Sequence, residues 1–130
     1  MIVIDASALL EVLLRSPAAS AVEARILVPD ETLHAPHLLD LEIAQVLRRW
    51  VRAGEIDVAR AAEALEDLAD LPISRYPHDV LLARVWSLRN NATAYDAAYL
   101  ALAEALGATL VTRDGALGEA PWHRARVEVI

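Results

Sequence analysis

Met1-Ile2-Val3-Ile4-Asp5-Ala6-Ser7 is the stretch on which the fold turns. Its three consecutive β-branched residues, Ile2, Val3 and Ile4, read as a short strand buried on both faces, the habit of a parallel sheet. The run stops at a carboxylate and two small residues. Leu9-Leu10-Glu11-Val12-Leu13-Leu14 then has helical character. A strand that delivers an acid at its C-terminal end stands where open α/β sheets gather their ligands. Asp5 is therefore the first candidate site residue.

Outward from this strand, helices and strands alternate. Residues 8–14 and 17–28 read as helices, the second with Pro17 near its first turn. Thr32-Leu33-His34-Ala35 is a second strand, closed by Pro36. An amphipathic helix follows over 38–53, with Leu39, Ile43, Val46, Leu47 and Trp50 on one face and Gly54 at its end. Residues 57–70 form another, with Val58, Ala62, Leu65 and Leu68 at helical spacing. A strand lies between Pro72 and Pro77, and a helix runs from His78 to Arg89. The helix over 94–106 is the most hydrophobic of the chain and stops at Gly107. Thr109-Leu110-Val111-Thr112 is a buried strand, Arg113-Asp114-Gly115 a turn, and Arg126–Ile130 a last strand. This order predicts right-handed crossovers and a three-layer α/β/α sandwich with a mainly parallel sheet, one domain over residues 1–130.

Composition narrows the possibilities. No uncharged apolar stretch reaches the roughly 18–20 residues of a membrane helix, and the N-terminus has no basic segment of the kind that opens a secretory signal. With no cysteine, disulfides and thiolate metal sites are excluded, and a cytoplasmic setting is the expectation. Hydrophobic residues make up 56% of the 130 positions, so an exposed apolar patch for a partner or a second copy is expected. The formal charge is −7, against general nucleic-acid binding, and all twelve basic residues are arginine.

Four acids stand out. Asp5 and Asp114 both end hydrophobic strands. Glu42 lies in the first turns of the helix after the second strand, and Asp96 opens the helix before the Thr109 strand. Each has a plainer reading: Thr93-Ala94-Tyr95-Asp96 has the form of a capping box, Asp40 and Glu42 complement a helix dipole, and Asp-Gly is a common turn. Taken together, all four fall at one edge of one sheet. Carboxylates about 6 Å apart repel by roughly 3 kcal/mol per pair at an effective dielectric near 20, so the cluster calls for protons or cations. Oxygen ligands without clustered histidine favour Mg²⁺ or Mn²⁺, metals suited to phosphoryl transfer.

The chain resembles the PIN-domain ribonucleases, specifically the VapC-type toxins of toxin–antitoxin pairs. The matching pieces are Ile2-Val3-Ile4-Asp5-Ala6-Ser7, Glu42, the run Thr93-Ala94-Tyr95-Asp96-Ala97-Ala98-Tyr99-Leu100-Ala101-Leu102-Ala103, and Thr112-Arg113-Asp114. The resemblance implies an acidic quartet of Asp5, Glu42, Asp96 and Asp114. Asp5 and Asp96 would lie on a first metal, with Ser7 and Thr112 as supporting hydroxyls. It further implies an endoribonuclease acting on tRNA or rRNA, held inactive by a VapB-type antitoxin and usually dimeric. Two departures are present: Gln45 stands where the family often has asparagine, and Gly115-Ala116-Leu117 supplies no extra acid after Asp114.

Arg113 is a candidate phosphate contact and equally a salt-bridge arginine. Trp50, Trp86 and Trp122 read as packing residues, Tyr95 and Tyr99 as core or dimer residues, and no histidine as catalytic. Two competing readings remain. Another Mg²⁺-dependent phosphoryl-transfer hydrolase is disfavoured because those types and the P-loop need a lysine, which this chain lacks. A catalytically silent PIN-like binding module is disfavoured by the intact quartet.

Overall fold

The computed structural model describes residues 1–130. Five strands form one all-parallel sheet: β1 (Ile2–Ile4), β2 (Leu33–Pro36), β3 (Ile73–Tyr76), β4 (Thr109–Thr112) and β5 (Arg126–Val129), in the order β3-β2-β1-β4-β5. The opening strand is thus central, and Ile2, Val3 and Ile4 are fully buried. Their branched side chains fill both faces of the pleat, which is why the run lacks polar alternation. Between β1 and β4 the chain reverses its direction of travel across the sheet, so the C-terminal ends of these two strands border the natural binding crevice.

On one face lie α1 (Ala6–Leu13), α2 (Ala19–Ile26), α3 (Leu38–Arg52) and α4 (Val58–Asp70). The return crossover places α5 (Leu82–Ser87) and α6 (Ala94–Leu106) on the other, and α7 (Gly115–Glu119) packs on β5. This is the α/β/α sandwich expected of the alternating pattern. Helix α6 is buried continuously from Ala97 to Ala103, a helix that is apolar all round because it is enclosed. Its alanines let it lie close to the sheet, and Gly107, at φ 62°, ends it in the left-handed conformation.

Several sequence expectations require correction. Helix α2 begins at Ala19, two residues beyond Pro17. The segment 78–89 is not one helix: a 3₁₀ turn over Asp79–Leu81 precedes the short α5. The buried face of α4 is Ala61, Ala64 and Leu68, while Val58, Ala62 and Leu65 are exposed. Trp86 does not pack, being 68% exposed, and Tyr95 is 65% exposed whereas Tyr99 is core. Asp114-Gly115 is not a simple turn, because Asp114 caps α7 by accepting the Ala116 N–H at 2.9 Å. Gly118 allows α7 its place, since a Cβ there would meet the Val129 side chain at 2.7 Å.

Candidate active site

Asp5 leaves β1 and becomes the N-cap of α1. Its Oδ1 accepts the Ala8 N–H at 3.0 Å and the Ser7 hydroxyl at 2.7 Å. Its Oδ2 accepts a short hydrogen bond from the Thr112 hydroxyl, which in turn accepts the Asp114 N–H at 2.9 Å. The Ser7 hydroxyl also accepts the Arg113 N–H at 2.9 Å. Two strand-to-helix junctions more than a hundred residues apart in sequence are therefore tied together through one carboxylate. Asp5 is only 8% exposed, and burial pushes its pKa up even though Thr112, Ser7 and the Ala8 amide all favour the charged form.

Asp96 sits in the first turn of α6, where the Thr93 hydroxyl accepts its backbone N–H at 3.1 Å. Only this half of a capping box forms. The Asp96 carboxylate keeps only a side-chain contact to Thr93, which favours its charged form, and faces the cleft that Asp114 also lines. Its pKa is raised by burial, then by the charges of Asp114 and Asp5.

Glu42 projects from the second turn of α3. Burial raises its pKa, with further push from Asp5 and Asp96, and its Oε1 is buried without a hydrogen-bond partner. The Tyr99 hydroxyl faces this carboxylate closely enough for each to shift the other's ionisation. No hydrogen bond of sound geometry joins them, however, and the hydroxyl too is buried and unpartnered. Burial and the Glu42 charge hold the Tyr99 phenol far above its ordinary range, so it stays protonated and uncharged.

Thus Asp5, Glu42, Asp96 and Asp114 are gathered at the C-terminal edge of the sheet, and the charges of their neighbours add to burial in raising the proton affinity of Glu42 and Asp96. No three carboxylate or histidine side chains stand close enough to form a ready-made cation cage. Arg113 makes no ion pair with the quartet. Its guanidinium bonds the Ile130 carbonyl and lies 3.5 Å from Glu11, so only its backbone reaches the site. The histidines lie elsewhere. His34 bonds Tyr76 and Thr32 within the sheet, and His78 Nε2 accepts the Leu38 N–H at the start of α3. Sequence reasoning missed Glu119 of α7, which lines the cleft with Asp96 and Asp114. The only signal for it was the capping potential of Asp114.

The sequence matches the PIN domain family over residues 2–122. The chain belongs to that family. Within it, the chain falls among the VapC ribonucleases, being 42% identical to ribonuclease VapC9 of Mycobacterium tuberculosis over 130 residues, 100% of this chain and 98% of that one. Among solved structures, PAE2754 from Pyrobaculum aerophilum superposes with a TM-score of 0.71 at 27% identity, covering 99% of this chain and 83% of the other. VapBC2 from Rickettsia felis, solved bound to a DNA fragment from its promoter, has a TM-score of 0.73 at 14% identity, with 99% and 98% coverage, and supports the fold alone.

Proposed function

We propose that residues 1–130 act as a single nuclease domain, a divalent-metal-dependent endoribonuclease toxin that hydrolyses phosphodiester bonds in tRNA or rRNA. The observation that carries this reading is the gathering of four carboxylates, three with raised pKa and one, Glu42, with a buried oxygen lacking any partner. Such a set stores repulsion that a cation relieves. All-oxygen donors without histidine or cysteine fit Mg²⁺ or Mn²⁺, and the loose spacing suits an ion that keeps several of its waters.

Asp5 and Asp96 would hold the ion, with Asp114 and Glu42 reaching it directly or through water. When bound, such an ion lowers the pKa of a coordinated water and neutralises charge on the phosphate. The chain's own contribution is orientation. Ser7, Thr112 and the Ala8 amide fix the Asp5 carboxylate, and the protonated Tyr99 borders Glu42 without adding charge. Burial by α1, α3 and α6 limits competing water around Asp5.

A VapB-type antitoxin as inhibitor, a cytoplasmic setting and a homodimer complete the proposal. Family membership supports the first. No helix is long and apolar enough to cross a membrane. Leu82 and Trp86, one turn apart on α5 and both exposed, supply an apolar face suited to a self-complementary contact. The test is mapping of cleaved ends in total RNA with Mg²⁺, comparing the intact chain with Asp5→Asn. Cleavage that depends on Mg²⁺ and vanishes in the variant is expected. Equal cleavage by both chains, or none by the intact one, overturns the reading.

A further inference from the structure

An acidic nuclease must still hold a polyanion, so the placement of its free positive charge matters. Arg25, Arg60, Arg75, Arg84 and Arg113 are occupied by carboxylate partners. Of the other seven, Arg15, Arg89, Arg124 and Arg126 are dispersed over separate elements, whereas Arg48, Arg49 and Arg52 are exposed and cluster on the C-terminal half of α3. That helix also carries Glu42. Gln45 follows Glu42 by three residues and Arg49 by seven, so all three share one face, with Arg49 about 10 Å along the axis from the acid. An open groove is lined by Glu42, Gln45, Arg48 and Arg49, and by Tyr95 at the start of α6. Tyr95 is the immediate neighbour of Asp96 and exposes most of its ring.

We propose that this groove is the track for the RNA strand beside the acids, Arg48 and Arg49 binding backbone phosphates while Tyr95 stacks against a base. The proposal rests on the ribonuclease reading. Guanidinium forks match phosphate oxygens in pairs, and an exposed aromatic ring accepts any base face. A duplex offers no splayed base to such a ring, so the fitting ligand is a single strand or a loop. The repulsion of the overall negative charge is offset where it matters, about two helical turns along α3 from Glu42.

The test is fluorescence anisotropy with a labelled, uridine-rich single-stranded oligoribonucleotide in Mg²⁺, on an Asp96→Asn background that prevents cutting. Arg48→Gln with Arg49→Gln is expected to weaken binding at least tenfold near 0.1 M salt. The same pair should reduce the log–log salt slope by about 1.4, two phosphates at roughly 0.7 each. Tyr95→Ala is expected to lose about tenfold with the slope unchanged, and Tyr95→Phe to restore binding. Arg15→Gln with Arg126→Gln makes the same charge change in the turn after α1 and at the start of β5, neither of which lines the groove. This control should leave both quantities unaltered. An unchanged affinity and slope in the Arg48/Arg49 pair, or an equal loss in the control, overturns the proposal. So does a loss that tracks a change in oligomeric state by light scattering, which would make the groove a contact between copies. Cleavage by the unmutated chain is scored in parallel. Cutting with an unaltered slope defeats the track alone, whereas charge-dependent binding without cutting defeats the nuclease reading alone.

Discussion

The two halves of the acidic site are built differently. On the β1/β4 side, Asp5 is surrounded by donors: two hydroxyls and a backbone amide. On the α3/α6 side, Glu42 has a buried oxygen with nothing to accept from, and Asp96 has only the Thr93 hydroxyl to set against burial and two neighbouring acids. The first half is preorganised by the polypeptide. The second is under-satisfied, and buried unpaired polar groups are costly. The difference shows where the site spends stability and where it is already complete. The strand side can be read as scaffold, the helix side as the part that a cation or a substrate finishes.

Asp96→Asn attacks the unfinished half and should have the largest effect. Cleavage is expected to fall by more than the 10–100-fold typical of losing a supporting partner. The metal-free chain should melt at the same temperature or higher, because one charge leaves the cluster. A clear drop in the metal-free melt would break the electrostatic contrast between the halves.

Thr112→Val attacks the finished half. It removes the donor to Asp5 Oδ2 and the acceptor of the Asp114 N–H. Metal affinity, read by titration calorimetry, is expected to fall about 10–100-fold, with a stability loss of about 1–3 kcal/mol in urea melts. An unaltered affinity would mean that the network is incidental to the ligands.

Acidity sharpens the comparison without mutation. Asp5, Glu42 and Asp96 have folded pKa values above their unfolded ones, so the native chain binds more protons and their penalty grows as pH rises past the ordinary carboxylate range. Metal-free stability should increase as pH is lowered from 7 toward 5. His34, whose pKa burial lowers, opposes this rise within the same window, one imidazole against three carboxylates. Glu104, held low by Arg84, opposes it only at pH near and below its unfolded value. Saturating Mg²⁺ should flatten or reverse the slope between 7 and 5. A metal-free melting temperature that drops steadily over this range would contradict the assignment.

The smallest effect is expected for Tyr99→Phe. Its hydroxyl is buried without a partner, so removal should leave metal-free stability unchanged or raise it by about 1 kcal/mol. A loss comparable to that of Thr112→Val would place a strong bond between Tyr99 and Glu42.

Much of this was legible in the chain itself. Ile2, Val3 and Ile4 lack alternation because both faces of the central strand are covered, and that signal is local. The four acids were legible because each sits at an element end that parallel topology brings to one edge. What periodicity could not tell was which apolar positions meet a neighbour. Val58, Leu65, Trp86 and Tyr95 keep helical spacing yet face outward, since the spacing records a stripe and not what covers it. Helix α7 was hidden because it is only five residues long and its cap doubles as a site acid. Glu119 was hidden with it. Nothing in the sequence separates Arg48 and Arg49 from Arg25, Arg60, Arg75, Arg84 and Arg113, whose carboxylate partners come from contacts that only the fold creates.

The Ser7 bridge carries one more consequence, concerning time. Ser7 binds both Asp5 and the Arg113 amide, so the constellation cannot exist until β4 has docked beside β1. Because synthesis runs from the N-terminus, Asp5 is made first and waits for more than a hundred residues. A nascent chain therefore carries the parts of a nuclease without their arrangement.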